Sequence, residues 1–220
     1  MITCLVSLQG VVLEFKMKGW TLGIGLWFLV TTAIAEPVLD ISAGQKKSAP
    51  CAACHGVDGN STVAAWPNIA GQSVGYLMDQ LKDYREGQKG ERFNPVMYSQ
   101  VQALTDQDIE DLAKYYSSQK PSLGAAKPET LELGEKLYRG GNPATGVPAC
   151  SACHSPEGDG NSPAGFPRLS GQHPDYIMDQ LKKFKTGERF NDANGIMRDI
   201  AKRMTNEEMQ AVSNYVSGLH

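Results

Sequence analysis

The sequence has few cysteines, no concentrated run of lysine and arginine, and no stretch in which apolar and polar residues alternate with a period of two. Only five of its 220 residues are cysteine, and its formal net charge is -3. A nucleic-acid-binding protein usually presents a concentrated basic face, so the charge pattern argues against that class. Without period-two alternation there is no signal for strands, and the chain is expected to be helical.

A long apolar run is also missing. The longest, "GWTLGIGLWFLVTTAIA" at 19–35, is interrupted by Gly and Thr and is only about 15 residues long, whereas a membrane-spanning helix needs about 20. Two lysines precede it and an Ala-x-Ala ends it, so we expect a signal peptide over 1–35, cleaved after Ala35, and export to the periplasm. The alternative is a retained membrane anchor. We also expect translation to begin at Met17, which makes 1–16 an over-extended start.

The remainder of the chain is duplicated. Long segments recur about a hundred residues apart, and the recurrence covers nearly all of the mature sequence, so it indicates two copies of one domain rather than a short-repeat array. We expect the first domain over 36–120, a Ser- and Pro-containing linker over 121–130 and the second domain over 131–220. The paired segments are 66–87 with 166–187, 90–94 with 187–191 ("GERFN" in both), and 104–119 with 204–219.

Helical signals recur within each copy. In "YLMDQLKDY", 76–84, the apolar residues share one helical face. Thr105-x-x-Asp108 and Thr205-x-x-Glu208 have the form of capping boxes that open a final helix. The fold class predicted is therefore all-α, with two tandem domains. Each domain is small and has a thin core, so it needs stabilisation by a covalent link or a bound group.

Each copy contains one Cys-x-x-Cys-His motif. Cys4 lies in the predicted signal peptide, so the mature chain keeps four cysteines. These could form two disulfides, ligate zinc or act as redox pairs. Zinc takes four ligands, whereas each copy offers a cluster of three, and disulfides would leave both histidines unexplained. Cys-x-x-Cys-His is the haem attachment pattern, because cysteines three apart on a helical turn reach both vinyl groups and the histidine reaches the iron. We therefore predict two covalently attached haem c groups. The thioether cysteines are Cys51, Cys54, Cys150 and Cys153, and the axial histidines are His55 and His154.

A sixth iron ligand is expected to be methionine, the usual partner of histidine in c-type cytochromes. The duplication alone does not choose among the candidates. We favour Met97 and Met197, which follow Asn, Pro or Gly and are expected in loops, over methionines within helices. His173 in "GQHPDY" is an alternative ligand for the second haem. The methionines weighed are Met78 and Met97 in the first copy, and Met178, Met197, Met204 and Met209 in the second.

Residues around the ligands are predicted too. Pro67 and Pro167 lie 12 and 13 positions after the two motif histidines, and their carbonyls are expected to accept the second ring N–H of His55 and His154. Arg92, Arg189 and two recurring tyrosines are candidate donors to the haem propionates, and the sequence does not choose among these.

With these motifs in place, the chain resembles the cytochrome c4 family. The resemblance rests on the paired motifs and on "HGVDGNS", "FPRLSGQH", "KLYRGG" and "NGIMRDIA". It implies two class-I-type cytochrome c domains related by a pseudo-twofold axis, haems that approach through their propionate edges, and the ligand pairs His55–Met97 and His154–Met197. The loop before Met97 is shorter than its counterpart.

The family resemblance also implies a function: a periplasmic electron carrier, commonly loosely associated with the membrane. Its expected donor is of the quinol–cytochrome c reductase type, and its expected acceptor is a haem–copper terminal oxidase. We expect no enzymatic activity of its own and no nucleic-acid partner. One alternative is a dihaem electron-transfer subunit of a flavoprotein dehydrogenase. A dihaem peroxidase is another, but it would need an open ligand position on one haem.

Overall fold

A computed structural model describes residues 40–220, and the predicted signal peptide lies outside that range. Within 40–220 the chain is helical, and its β-structure consists of isolated bridges only. No helix in this part of the chain is both long and apolar enough to cross a bilayer. The helices are α1 (Ser42–Lys47), α2 (Ala49–His55), α3 (Val74–Arg85), α4 (Pro95–Val101), α5 (Asp106–Ser117), α6 (Leu131–Gly140), α7 (Ser151–His154), α8 (Pro174–Thr186), α9 (Ile196–Arg203) and α10 (Asn206–Ser217).

Each half begins with a helix that packs on the last helix of the same half, α1 on α5 and α6 on α10. Both crossings are close because a glycine faces the partner helix. A Cβ at Gly44 would lie 2.1 Å from the carbonyl oxygen of Asp111, and one at Gly134 would lie 2.4 Å from that of Ala211. The same contact in both halves is the structural counterpart of the sequence duplication.

The capping boxes predicted for the last helices are confirmed. In α5, Thr105 accepts from the backbone N–H of Asp108, whose carboxylate accepts from the Thr105 N–H; Thr205 and Glu208 do the same in α10. Because each box satisfies backbone donors that the first helical turn leaves unpaired, it fixes where the helix begins. The long helices α3 and α8 then pack against these capped helices.

The segment between the halves has no regular secondary structure at 120–127. It is nevertheless held by both halves. The N–H of Ser122 donates to Asn60 of the first half at 2.7 Å, and the N–H of Lys127 donates to Asn214 of the second at 2.8 Å. These hydrogen bonds attach the segment to both halves.

The two halves also bond to each other directly. Arg92 and Arg189, the arginines of the two "GERFN" segments, form an antiparallel bridge, and the N–H of Phe190 donates to the carbonyl of Glu91 at 2.9 Å. Equivalent positions in the two copies meet here, as a pseudo-twofold relation requires.

Candidate functional site

The two Cys-x-x-Cys-His motifs lie on the short helices α2 and α7. Cys51, Cys54 and His55 are all within α2, which places both cysteines one helical turn apart. Cys150 caps the start of α7, and its motif ends the helix at His154. No disulfide joins the four motif cysteines, which are half-buried.

Both motif histidines are buried and oriented by a carbonyl. The Nδ1 atom of His55 lies 2.9 Å from the carbonyl oxygen of Pro67, and that of His154 lies 2.9 Å from that of Pro167. A carbonyl only accepts, so Nδ1 must carry the proton and Nε2 keeps a free lone pair. Burial lowers the pKa of both imidazoles, although the carbonyls act in the opposite direction. Each ring is therefore oriented and favoured in its neutral form, which is the form that suits metal ligation.

One cavity of about 1350 Å³ runs between these motifs and across both halves. Pockets for a single small ligand usually have about 300–1,000 Å³, so this volume suits more than one large group. Its wall contains all four motif cysteines, both motif histidines, Met97 and Met197. The sequence-predicted site residues therefore share one cavity.

The local structure predicted for Met97 and Met197 is wrong, because both lie in the first turn of a helix rather than in a loop. Asn94 caps α4 by accepting from the N–H of Met97 at 3.1 Å, and Pro95 is the first helical residue. Asparagine at the cap followed by proline is a recognised helix start, so the sequence did contain this signal.

The second copy reaches the same position by a longer path. A 3₁₀ turn over Ala193–Gly195 precedes α9, with Asn194 at φ 56° and Gly195 at φ 70°, both left-handed. Asp192 then accepts from the N–H of Arg198 at 2.9 Å. The insertion noted in the sequence is absorbed by this turn, and both methionines begin a short helix.

The other methionines fall into different positions. Met78 and Met178 pack against the hydrophobic cores of their halves and are absent from the cavity wall. Met209 is fully buried in the second core, whereas Met204 is buried in that core and also reaches the cavity. His173 lies between the halves, with Nε2 2.9 Å from the carbonyl oxygen of Ser61, and does not line the cavity.

Two buried arginines meet where the halves join. Arg92 donates to Tyr176 at 2.7 Å and to Gln180 at 2.9 Å in the other half, and Arg189 donates to Tyr76 and Gln80 at 3.0 Å. Neither arginine forms an ion pair with a described carboxylate, and Nε of Arg92 is buried without a hydrogen-bond partner.

This pair leaves positive charge uncompensated inside the protein. Burial opposes ionisation of the Tyr76 hydroxyl, but the neighbouring guanidinium groups of Arg189 and Arg92 outweigh that effect and lower its pKa. Buried charges without a partner are costly, so the site is suited to an anionic group. Both arginines also line the cavity, where the carboxylates of a haem would supply that charge. The donor set and the charge of the cavity therefore fit haem.

Sequence reasoning did not detect the pairing between the arginines, nor the glutamines Gln72 and Gln172 that bond across the halves. The only signal was their recurrence, in "GERFN" and in "AGQ" and "SGQ". Recurrence marks a residue as shared by both copies, but it does not show that the two copies pack against each other at that residue.

Comparisons with known proteins agree with this site. The cytochrome c family model matches the chain twice, over 41–120 and 131–220. Cytochrome c4 of Azotobacter vinelandii is 48% identical over 196 residues, covering 86% of this chain and 93% of the relative. A thiosulfate dehydrogenase electron acceptor of Thiomonas intermedia is 38% identical, covering 80% and 81%.

Among solved structures, reduced cytochrome c4 from Pseudomonas stutzeri superposes with a TM-score of 0.80 at 46% identity, covering 83% of this chain and all of that one. Two matches of the family model, each containing one complete Cys-x-x-Cys-His motif, give the chain two covalently attached haem c groups. It is an electron-transfer protein of two cytochrome c domains, and it belongs to the cytochrome c4 family.

Proposed function

We propose that this protein is an exported electron carrier whose first haem is ligated by His55 and Met97 and whose second is ligated by His154 and Met197. The observation that carries the proposal is that each half contributes one carbonyl-oriented histidine and one methionine to the wall of the same cavity. A histidine and a methionine on each haem would leave no open coordination site for a substrate, and this would favour carriage of electrons over peroxidase chemistry.

The haem iron supplies the one-electron change between ferric and ferrous states, and the chain controls how readily that change occurs. Pro67 and Pro167 accept the Nδ1 protons of the two histidines, which fixes ring orientation and raises ligand basicity. The methionine sulfur is a soft ligand and favours Fe(II). Burial of both imidazoles shields them from water.

Arg92 and Arg189 are proposed to hold the propionates of the two haems. Their buried guanidinium groups carry a positive charge that no described carboxylate pairs with directly, and the unpartnered Nε of Arg92 leaves a donor available. Because Arg92 bonds to the second half and Arg189 to the first, propionates bound there would lie close to the junction of the domains. Electrons could then pass between the haems within one molecule.

For partners, we propose a quinol–cytochrome c reductase type of donor and a haem–copper oxidase type of acceptor, with the mature chain, 36–220, in the periplasm. A second donor class is supported by the 38% identity to a thiosulfate dehydrogenase electron acceptor. The carrier would then dock on a dehydrogenase rather than on a reductase. Stopped-flow reduction of the purified holoprotein by each class of donor distinguishes the two, since the physiological donor reduces it at the faster, salt-sensitive rate.

The ligand assignment is tested by the near-infrared sulfur-to-iron charge-transfer band of the oxidised holoprotein. We expect Met97→Ala and Met197→Ala each to remove one haem's share of the band. Met78→Ala and Met178→Ala are the matched controls, because these methionines belong to the same halves but pack in the cores. An unchanged band in both ligand variants, or its loss in a control, would overturn the assignment, and peroxide turnover by the wild type would favour an enzyme.

A further inference from the structure

The side-chain amides of Gln72 and Gln172 each form two hydrogen bonds with the backbone of the opposite half. The side-chain oxygen of Gln172 accepts from the N–H of Asn68 at 2.8 Å, and its amide nitrogen donates to the carbonyl of Asn68 at 2.8 Å. Likewise, the side-chain oxygen of Gln72 accepts from the N–H of Arg168 at 2.9 Å, and its amide nitrogen donates to the carbonyl of Arg168 at 3.0 Å. Both glutamine side chains are buried, with 6% and 7% of their residue surfaces exposed.

The residues that these glutamines bind, Asn68 and Arg168, directly follow Pro67 and Pro167 in the chain. The N–H of Asn68 belongs to the same peptide group as the carbonyl of Pro67, which accepts from His55. One unbroken chain therefore runs from the His55 imidazole, through a single peptide group, to Gln172 in the other half. The mirror chain runs from His154 through the Pro167–Arg168 peptide to Gln72.

Hydrogen bonds in such a chain strengthen one another, and a buried setting enhances the effect. When Gln172 accepts from the peptide N–H, electron density moves toward the carbonyl oxygen of Pro67. That oxygen becomes a stronger acceptor for the Nδ1 proton of His55, and the ring becomes a more basic ligand. A more basic ligand favours Fe(III), so the bond across the halves should lower the reduction potential of the haem it reaches.

We propose that Gln172 is a positioning residue for the first haem and Gln72 for the second, so that each domain tunes the reduction potential of the other domain's haem. The proposal rests on the axial role of the two histidines in the proposed function. A fixed rotamer supports it, because each glutamine oxygen also accepts from a backbone N–H in its own half, Ser73 for Gln72 and His173 for Gln172, at 3.0 Å. These contacts assign oxygen, not nitrogen, to the position facing the peptide N–H.

The test uses the holoprotein and measures the midpoint potential of each haem, with the two distinguished by NMR resonances of their haem methyl groups. Gln172→Met keeps the length of the side chain but removes its amide. We expect the first haem's ferrous-to-ferric ratio at a fixed potential to rise about threefold, a shift of about +30 mV at 59 mV per tenfold. The second haem should shift less. Gln72→Met should raise the potential of the second haem and shift the first haem less. It provides the test if the Gln172→Met protein does not accumulate.

The matched control is His173→Phe. It removes the side-chain hydrogen bond from His173 to the carbonyl of Ser61 at 2.9 Å, and it keeps the backbone N–H of His173 that donates to Gln172. We expect it to leave both potentials unchanged. A second readout is the Nδ1 proton resonance of the axial histidine in the reduced protein, which should move upfield only in the half opposite the glutamine substitution.

Three results would overturn the proposal: each glutamine variant shifts the haem of its own half, both haems shift equally, or His173→Phe reproduces the shift. Failure of the proposed function is separate. If the wild type lacked the sulfur-to-iron band, the ligand assignment would fall, whereas an intact band with unmoved potentials would reject only the role of the glutamines.

Discussion

Replacing Gly134 by alanine should destabilise the protein, although alanine is the better helix former. Gly134 lies in α6 where that helix crosses α10. An added Cβ would lie 2.4 Å from the carbonyl oxygen of Ala211 and 2.6 Å from the Cβ of Tyr215, whereas ordinary contacts of a Cβ lie at 3.4–4 Å. Because the obstructing atoms belong to the backbone or adjoin it, no side-chain rotation relieves the overlap, and the two helices must separate by about 1 Å.

The magnitude follows from two opposing effects. Overpacking a close contact typically costs about 1–3 kcal/mol, and this overlap belongs at the upper end. Alanine recovers up to about 1 kcal/mol of helix propensity. We therefore expect Gly134→Ala to lower the free energy of unfolding by about 2 kcal/mol. If the two halves melt together, the melting temperature falls by about 4–8 °C, at about 2–4 °C per kcal/mol for a chain of this size.

Gly140→Ala is the control within the same helix. A Cβ at Gly140 meets no atom within 4 Å, so only the propensity gain remains. Thermal unfolding of both holoproteins, followed by far-ultraviolet circular dichroism, should give shifts of opposite sign. Gly44→Ala should behave like Gly134→Ala, since its Cβ would lie 2.1 Å from the Asp111 carbonyl. If Gly134→Ala melted at or above the temperature of Gly140→Ala, the argument from close helix packing would be refuted.

Three further predictions concern single side chains. Thr205→Ala removes an N-cap hydrogen bond and should lower the free energy of unfolding by about 1 kcal/mol in the same melting assay, whereas Thr205→Ser should restore most of it. Lys47 bonds to Asp108 and Asp111 at 2.6 and 2.5 Å and lowers the pKa of both carboxyls. Their stabilisation is present above the ordinary carboxyl pKa and is lost as pH falls through the lowered values, so Lys47→Met should melt less pH-dependently between about pH 4 and pH 2 than the wild type. An equally steep pH profile in the variant would contradict this. Arg92→Met removes a positive charge beside the proposed propionate site and should lower both reduction potentials in a spectroelectrochemical titration; unchanged potentials would remove Arg92 from that role.

The local geometry around the motifs follows from short spacings, which the sequence shows directly. A Cys-x-x-Cys-His motif, a capping box and a proline 12 positions after His55 all act within one loop or one helical turn. The loop predicted for Met97 is wrong, because Asn followed by Pro is common in turns and also starts a helix.

The side-chain contacts that join the two halves could not be predicted from the spacing of residues in the sequence. The meeting of Arg92 with Arg189, and the contacts of Gln72 with Arg168, join residues about a hundred positions apart. Nothing in the spacing of either copy determines which surfaces of the two copies pack together. Only the folded chain shows that residues recurring in both copies face each other across the junction.

The most direct test of the account is the intact mass of the exported protein, measured under denaturing conditions after expression with a haem-attachment system. We expect the mass of residues 36–220 plus two haems, and one haem fewer in each double variant, Cys51→Ala with Cys54→Ala or Cys150→Ala with Cys153→Ala. A wild-type mass equal to that of the polypeptide alone, or a double variant that keeps both haems, would contradict it.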